Sequence, residues 1–137
     1  MSGTALLQVQ QSVRDRLTQD PALGALVTAI YDHAPPSSGA TFPYLVLGEK
    51  SEKDFDTFGR GGSIVSLVID IRSQAAEDDE LLDVYNRIRE VLHEQPFALT
   101  GREVVDAQTT MVRTLVDPDG VTRRGEARFQ VTVQDQP

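Results

Sequence analysis

The stretch LVDPDGVTRRGEARFQVTVQ, residues 115–134, predicts the β-hairpin that decides the fold. Its DPDG segment, Asp117–Gly120, contains the proline and glycine that favour a tight turn. Beyond the turn, mostly small or apolar residues alternate with polar ones, which is typical of a strand with one buried face. We therefore predict a strand from about Glu103 to Val116 and a returning strand from Val121 to Gln134.

A second alternating stretch predicts a strand in the middle of the sheet. Its apolar residues recur at every second position, so we expect this strand to be buried mainly on one face. The apolar set is Val65, Leu67, Ile69 and Ile71, and the residues between them are Ser66, Val68, Asp70 and Arg72.

Two shorter strands are predicted upstream. Tyr44–Leu47 is a short apolar run bounded by Pro43 and Gly48, and Ile30–Asp32 is a brief strand. The polar, glycine-rich segment Ser51–Gly62 is predicted to be a long connection.

Two amphipathic helices accompany these strands. The first should end near Gln19, where Asp20 caps a short helical turn that starts at Pro21. The second opens with acidic residues, Glu77–Glu80, which suit the positive end of a helix dipole. The two apolar stripes consist of Leu6, Val9, Val13 and Leu17, and of Leu81, Val84, Tyr85, Ile88, Val91 and Leu92.

The order of these elements predicts an α+β fold. Helix, strand, strand, helix, strand, strand folds most simply as an antiparallel-rich sheet of about four to five strands with two main helices packed on one face. A chain of 137 residues and 15.0 kDa is expected to form a single domain, residues 1–137. Strands of this length also offer an edge or a face for pairing with another subunit.

Composition excludes several classes of function. Lys and Arg number 13 against 21 Asp and Glu, a net charge of −8 that is opposite in sign to that of nucleic-acid-binding proteins. Because the chain has no cysteine, it cannot form disulfides, thiolate zinc sites or iron–sulfur clusters. Neither a membrane span nor a signal peptide is recognisable, so we expect the protein to be made and kept in the cytoplasm.

The residues that most often perform chemistry occur here without a functional pattern. His33 and His93 lack a second ligand at metal-binding spacing. Consecutive acids at Glu77–Glu80 point around a helix instead of converging, and Asp117–Gly120 lacks the later ligands of a calcium loop. The glycines of Gly59–Gly62 are not followed by the residues of a phosphate-binding loop. We therefore predict no catalytic, cofactor-binding or metal-binding residues, no cofactor, and no enzymatic activity.

The segment from Ser51 to Gly62 has one unusual feature, two of the five phenylalanines of the chain. Phe55 and Phe58, together with Arg60, are candidate residues for an interface with another subunit or a partner, because buried aromatics dominate interface energetics. The alternative is that both phenylalanines fold back over the protein's own sheet.

The order and spacing of the segments resemble the bacteriophage tail-completion or tail-terminator proteins, also called head–tail joining proteins, of long-tailed phages, prophages and gene transfer agents. No single segment is specific, and the resemblance depends on their succession over nearly the whole chain. The segments are VRDRLTQDPALGALV (13–27), Ile30–Asp32, FPYLVLG (42–48), SLVIDIRS (66–73), Val91–His93, and Asp117–Gly120 with Gly125, Arg128 and Phe129.

The resemblance implies a structural role in virion assembly. It implies a ring, commonly a hexamer, that caps the tail tube, ends tail elongation and presents the head–tail joining surface. The implied partners are other copies of the chain, the tail tube protein and a head-completion or connector protein. DNA would pass through the bore without specific binding, which the acidic composition suits because cationic contacts would retain the genome. The expected location is the host cytoplasm during assembly and then the head–tail junction of the particle.

Two other classes of function stay open at this point. A small cytoplasmic ligand-binding or regulatory α+β domain would form a dimer with an enclosed pocket. The other is an enzyme that works through backbone groups and carboxylates, and a thermal shift with a specific small molecule would favour either of these classes over the ring.

Overall fold

Two long helices cover one face of a five-stranded sheet in the computed structural model, which describes residues 4–32, 41–54, 61–95 and 98–135. The sheet order is β1-β2-β3-β5-β4; β1 pairs with β2 in parallel, and the remaining neighbours pair antiparallel. The predicted α+β fold is confirmed. The elements are α1 (Thr4–Gln19), α2 (Pro21–Gly24), β1 (Ile30–Tyr31), β2 (Tyr44–Asp54), β3 (Gly62–Ser73), α3 (Asp79–Leu92), β4 (Arg102–Val116) and β5 (Arg123–Asp135).

The hydrophobic core lies between the helices and the sheet, and the predicted periodicities build it. The apolar stripe of α1 packs against β2 and β3, and that of α3 packs against β3, β5 and β4. Burying one such side chain completely contributes about 1.5–3 kcal/mol, so this interface is the main source of stability. The side chains at its centre are Val9, Val13 and Leu17 of α1, Val65, Ile69 and Ile71 of β3, Leu81, Val84, Ile88 and Leu92 of α3, and Ala127, Phe129, Val131 and Val133 of β5.

Asp20 connects α2 to α3. Its Oδ2 accepts a hydrogen bond from the backbone N–H of Leu23 at 2.8 Å, which confirms the predicted cap. Arg87 of α3 donates to both oxygens of the same carboxylate, from Nε at 2.8 Å and from Nη2 at 2.7 Å. These hydrogen bonds from Arg87 hold the pKa of Asp20 below its ordinary value. One carboxylate therefore caps a helix and fixes its position against a second helix.

The prediction that the second strand ends at Leu47 was wrong, because β2 continues to Asp54. Lys50–Asp54 pair with Ser63–Leu67 of β3 after a register shift that follows Leu47. This half of the strand is largely exposed, so apolar and polar residues do not alternate along it and the sequence gives no strand pattern there. Glu52 accepts hydrogen bonds from the backbone N–H of Leu6 at 3.0 Å and from the Ser63 hydroxyl at 2.8 Å.

The prediction that the central strand is buried mainly on one face was also wrong. Val68 and Asp70 of β3 face away from the helices and are still only 9% and 8% exposed. Asp70 is covered because Arg124 of the next strand, β5, reaches it with Nη2 at 3.4 Å from Oδ1.

Two predicted boundaries shift by two residues. The third helix begins at Asp79 and not at Glu77, and Asp78 at its start forms an ion pair with Arg123 at 3.0 Å. The last strand begins at Arg123 and not at Val121, because the preceding residues are still held by the turn.

Gly125 provides the first test of the packing. A Cβ at this position of β5 would lie 2.5 Å from Cδ2 of Leu81, which is fully buried in α3. Gly125→Ala should lower the free energy of unfolding by about 1–3 kcal/mol, the usual cost of overpacking a core. Urea denaturation measures the change.

The matched control for this variant is Gly24→Ala, where nothing lies within 4 Å of the added carbon. Combining Gly125→Ala with Leu81→Val should cost less than the sum of the two single changes, because the smaller side chain leaves room for the new methyl group. Strict additivity would contradict the close contact.

Asp20 provides a second test. Asp20→Ala removes the cap and the ion pair, and should lower the free energy of unfolding by about 1–2 kcal/mol at neutral pH. Asp20→Asn retains an acceptor for the Leu23 N–H and should lose less. Because the pKa of Asp20 is lowered in the folded state, its charge stabilises the protein above the ordinary Asp range. The gap between wild type and Asp20→Asn should therefore close as the pH falls from about 5 towards 2. A gap independent of pH in urea titrations would contradict this account.

Candidate functional site

The three candidate interface residues from the sequence, Phe55, Phe58 and Arg60, lie outside the described residues. The strands on either side of them are described: Asp54 at the end of β2 pairs with Ser63 near the start of β3. The segment that carries the candidates therefore joins two adjacent strands at one end of the sheet. That these residues contact a partner stays a prediction.

The turn Asp117–Gly120 has a structural explanation. The Asp119 carboxylate accepts hydrogen bonds from the backbone N–H groups of Val121 and Thr122 and from the Thr122 hydroxyl, all at 2.8 Å. These bonds, the one from the Thr122 N–H above all, hold the pKa of Asp119 below its ordinary value. Its oxygens are thus used to close the hairpin.

In the described part of the chain, no group of three or more His, Asp or Glu side chains is arranged to hold a metal ion. None of the helices described there is long and apolar enough to cross a membrane. His33 lies outside the described residues.

The sheet face that the helices leave uncovered, here called the helix-free face, carries a network of ion pairs. Asp70, Glu126 and Arg113 lie directly opposite one another on β3, β5 and β4. Arg113 donates to Glu126 Oε1 from Nε at 3.0 Å and also from Nη2. Arg124 lies within 3.4 Å of Asp70, 3.5 Å of Glu126 and 3.8 Å of Asp117. The network joins three strands to the hairpin turn.

The electrostatics of this network are set by burial. Burial raises the pKa of Asp70, and the positive charges of Arg124 and Arg72 oppose that rise. Arg113 and Arg124 are paired with carboxylates of the chain itself, so the network stiffens the helix-free face more than it offers free charge to a ligand.

β4 is the edge strand of the sheet, and the chain itself covers the half that starts at Arg102. The backbone N–H of Glu94, just after α3, donates to the carbonyl of Ala107 at 2.7 Å. The backbone N–H of Thr109 donates to Nδ1 of His93 at 3.1 Å. Residues 93 and 94 therefore bond to the outer edge of β4 at Ala107 and Thr109, and we call Arg102–Thr109 the capped half.

Two irregularities also interrupt this edge. The register with β5 shifts between Val104 and Asp106 and again between Thr109 and Met111. Such bulges twist an edge strand away from further pairing. The capped half is thus protected twice.

The remainder, Met111–Val116, is unprotected and is called the open edge. Within the described residues, its backbone is bonded on one side only, to β5. The sequence MVRTLV has no proline or glycine, and its single charge, on Arg113, is paired with Glu126. Met111 and Val116 are 41% and 56% exposed. A strand with these properties is a template for pairing with another chain.

Sequence reasoning anticipated pairing along a long strand, and it missed the division of β4. The cap depends on a contact between His93 and Thr109, which are far apart in the chain and carry no shared motif. The mostly apolar segment 111–116 was the signal that could have been read, since an edge strand rarely exposes several large apolar residues.

Comparisons with known proteins identify relatives along nearly the whole chain. A family model described as "Tail completion protein gp17" matches residues 11–134. The tail completion protein gp17 of Bacillus phage SPP1 is 24% identical over 100 residues, which are 73% of this chain and 74% of that protein. The family identified by these two matches is the one that the order of the sequence segments resembles.

Solved structures share the fold. A chain in the virion of a native gene transfer agent particle superimposes with a TM-score of 0.79 at 23% identity, covering 97% of this chain and 95% of that one. The structure of bacteriophage SPP1 gp17 has a TM-score of 0.65 at 23% identity and covers 93% of this chain and 90% of that one. Since the family model extends over most of its length, the chain belongs to the family of tail completion proteins described as gp17.

Proposed function

We propose that the protein is a non-enzymatic structural protein that forms a ring on the tail tube, ends tail elongation and presents the surface to which the head attaches. The observation that carries the proposal is the family match over residues 11–134. A likeness of fold to a chain of a gene transfer agent virion supports a place in such a particle. Membership of this family favours the proposal over a ligand-binding or regulatory domain.

Ring formation is proposed from the resemblance and from the open edge. A surface that contacts a different surface on the next copy generates a ring when the rotation closes. The open edge Met111–Val116 is such a one-sided surface, because the other side of β4 is occupied by β5. Six copies is the number that the resemblance implies.

The proposed partners are the tail tube protein on one side of the ring and a head-completion or connector protein on the other. We place the protein at the head–tail junction, after assembly in the host cytoplasm, as a single domain of residues 1–137. A net charge of −8 per copy supports passage of DNA through the bore without specific binding, since no excess of cations is available to replace counterions.

The ring itself can be measured. Purified protein should be a monomer or a weakly associating species that forms rings at high concentration or on the ends of tail tubes, because closure before a tube exists would terminate nothing. Native mass spectrometry across a concentration series and electron microscopy with tail tubes report the state. A tight dimer at every concentration would overturn the proposal.

Phe55 and Phe58 are proposed, with Arg60, as contacts to the neighbouring subunit or the tail tube. The double variant Phe55→Ala with Phe58→Ala should leave the melting temperature of the isolated subunit nearly unchanged and abolish ring formation or attachment. The matched control is Phe129→Ala, which removes a fully buried ring and should cost about 3–5 kcal/mol. A loss of that size in the double variant would show that the two phenylalanines belong to the core.

A further inference from the structure

We propose that the open edge of one copy pairs, antiparallel, with residues Lys50–Asp54 of β2 in the next copy, so that the sheet continues from subunit to subunit. The inference rests on the proposed ring and names the contact that builds it. It follows from three properties of the sheet: which edges are open, which way the strands run, and how far the open parts are offset.

The sheet has two outer edges, and each is covered over one half. On one side, residues 93 and 94 cap β4 and leave Met111–Val116 open. On the other side, β1 pairs only with Leu45 and Val46 of β2. Beyond β1, Lys50–Asp54 pair with β3 on one side, and within the described residues no backbone group bonds to their outer side. The two open segments have nearly equal lengths.

The direction of the strands suits a head-to-tail contact. Three successive antiparallel pairings, β2 with β3, β3 with β5, and β5 with β4, make β2 and β4 run in opposite directions. A neighbour in the same orientation therefore presents β2 antiparallel to β4. Pairing of β4 with a second β4 would instead require a two-fold axis and would stop at a dimer.

The offset between the open segments is compatible with a closed ring. Arg113 of β4 lies in the same row as Glu126, Asp70 and Val46, so the open edge is level with the half of β2 that β1 covers. Reaching the open part of the neighbour's β2, Lys50–Asp54, needs a shift of roughly six residues, about 20 Å, along the strands. From β2 of one copy to β2 of the next there are four strand spacings, about 19 Å across the sheet. The strands would then tilt by about 45° to the ring axis, close to the tilt usual in closed sheets.

The same offset explains why the covered halves do not obstruct the contact. With this shift, β1 of the neighbour lies beyond the end of β4, at the level of the Asp117–Gly120 turn. The shift also leaves the capped half of β4 outside the contact. The cap on β4 and the strand β1 on β2 thus select a single staggered register.

Cysteine cross-linking tests the pairing directly, because the chain has no cysteine of its own. Thr114→Cys would be combined in turn with Lys50→Cys and Asp54→Cys, and Val116→Cys with Lys50→Cys. All four positions are exposed. The strand register places them on the face of the sheet that the helices cover, as directly opposed residues must share a face. Directly opposed Cβ atoms on antiparallel strands are about 4.5–5.5 Å apart, within reach of a disulfide. After mild oxidation of rings formed at high concentration or on tail tubes, at least one pair should give a ladder of covalent oligomers on a non-reducing gel.

The matched control replaces Thr114→Cys by Val105→Cys, which is 52% exposed but lies in the capped half of the same strand. This variant should remain a monomer on the gel. As an independent variant, Val116→Lys should raise the concentration at half-assembly roughly tenfold, since a lysine on an edge strand opposes pairing. Its melting temperature should equal that of the wild type, because the side chain of Val116 is mostly exposed.

The outcomes separate this inference from the proposed function. Rings visible by electron microscopy without any ladder would overturn the edge pairing and leave the ring in place. A covalent dimer from Thr114→Cys alone would overturn it in favour of a β4–β4 contact. If the wild type forms no ring, the proposed function fails, but the gel still tests the edge pairing. A ladder of covalent oligomers supports the pairing, and covalent monomer alone overturns it.

Discussion

The antiparallel pairing of β3 with β5 is the interaction on which the rest of the structure depends. It runs without a shift from Gly62 opposite Gln134 to Ser73 opposite Arg123. A slip of one residue would turn the apolar residues of either strand towards the helix-free face. α1 packs on β3 and α3 packs on both strands, and the absence of a side chain at Gly125 is what admits Leu81 of α3. β2 and β4 are then added on either side, and their irregularities do not disturb the central register.

The sequence predicts the elements that bury one face. α1, α3, β3 and β5 follow from the spacing of their apolar residues, and α2 follows from Asp20 and Pro21. The second half of β2 could not be predicted in this way, because Lys50, Ser51 and Lys53 are exposed and carry no apolar alternation. The burial of Asp70 could not be predicted either, since it depends on Arg124 of a strand far along the chain.

The candidate site was predictable only in outline. Long strands suggest pairing with another subunit, but the sequence does not show which part of β4 is available. That division depends on two bonds, from Glu94 to Ala107 and from Thr109 to His93, which join the end of a helix to an edge strand. The family, in contrast, is recognisable from the succession of ordinary segments, and the family model that matches residues 11–134 agrees with that succession.

The short length of the open edge also bears on how errors in assembly can be corrected. A contact of six residues between two subunits is weak, because it must first offset the loss of translational and rotational freedom. A partly built chain of subunits would dissociate readily, whereas the last contact of a closed circle forms between subunits that are already held together. In the proposed ring, the bonds from Glu94 and His93 to β4 would keep each single contact this short and therefore reversible. Misplaced subunits would then be able to leave before the ring closes.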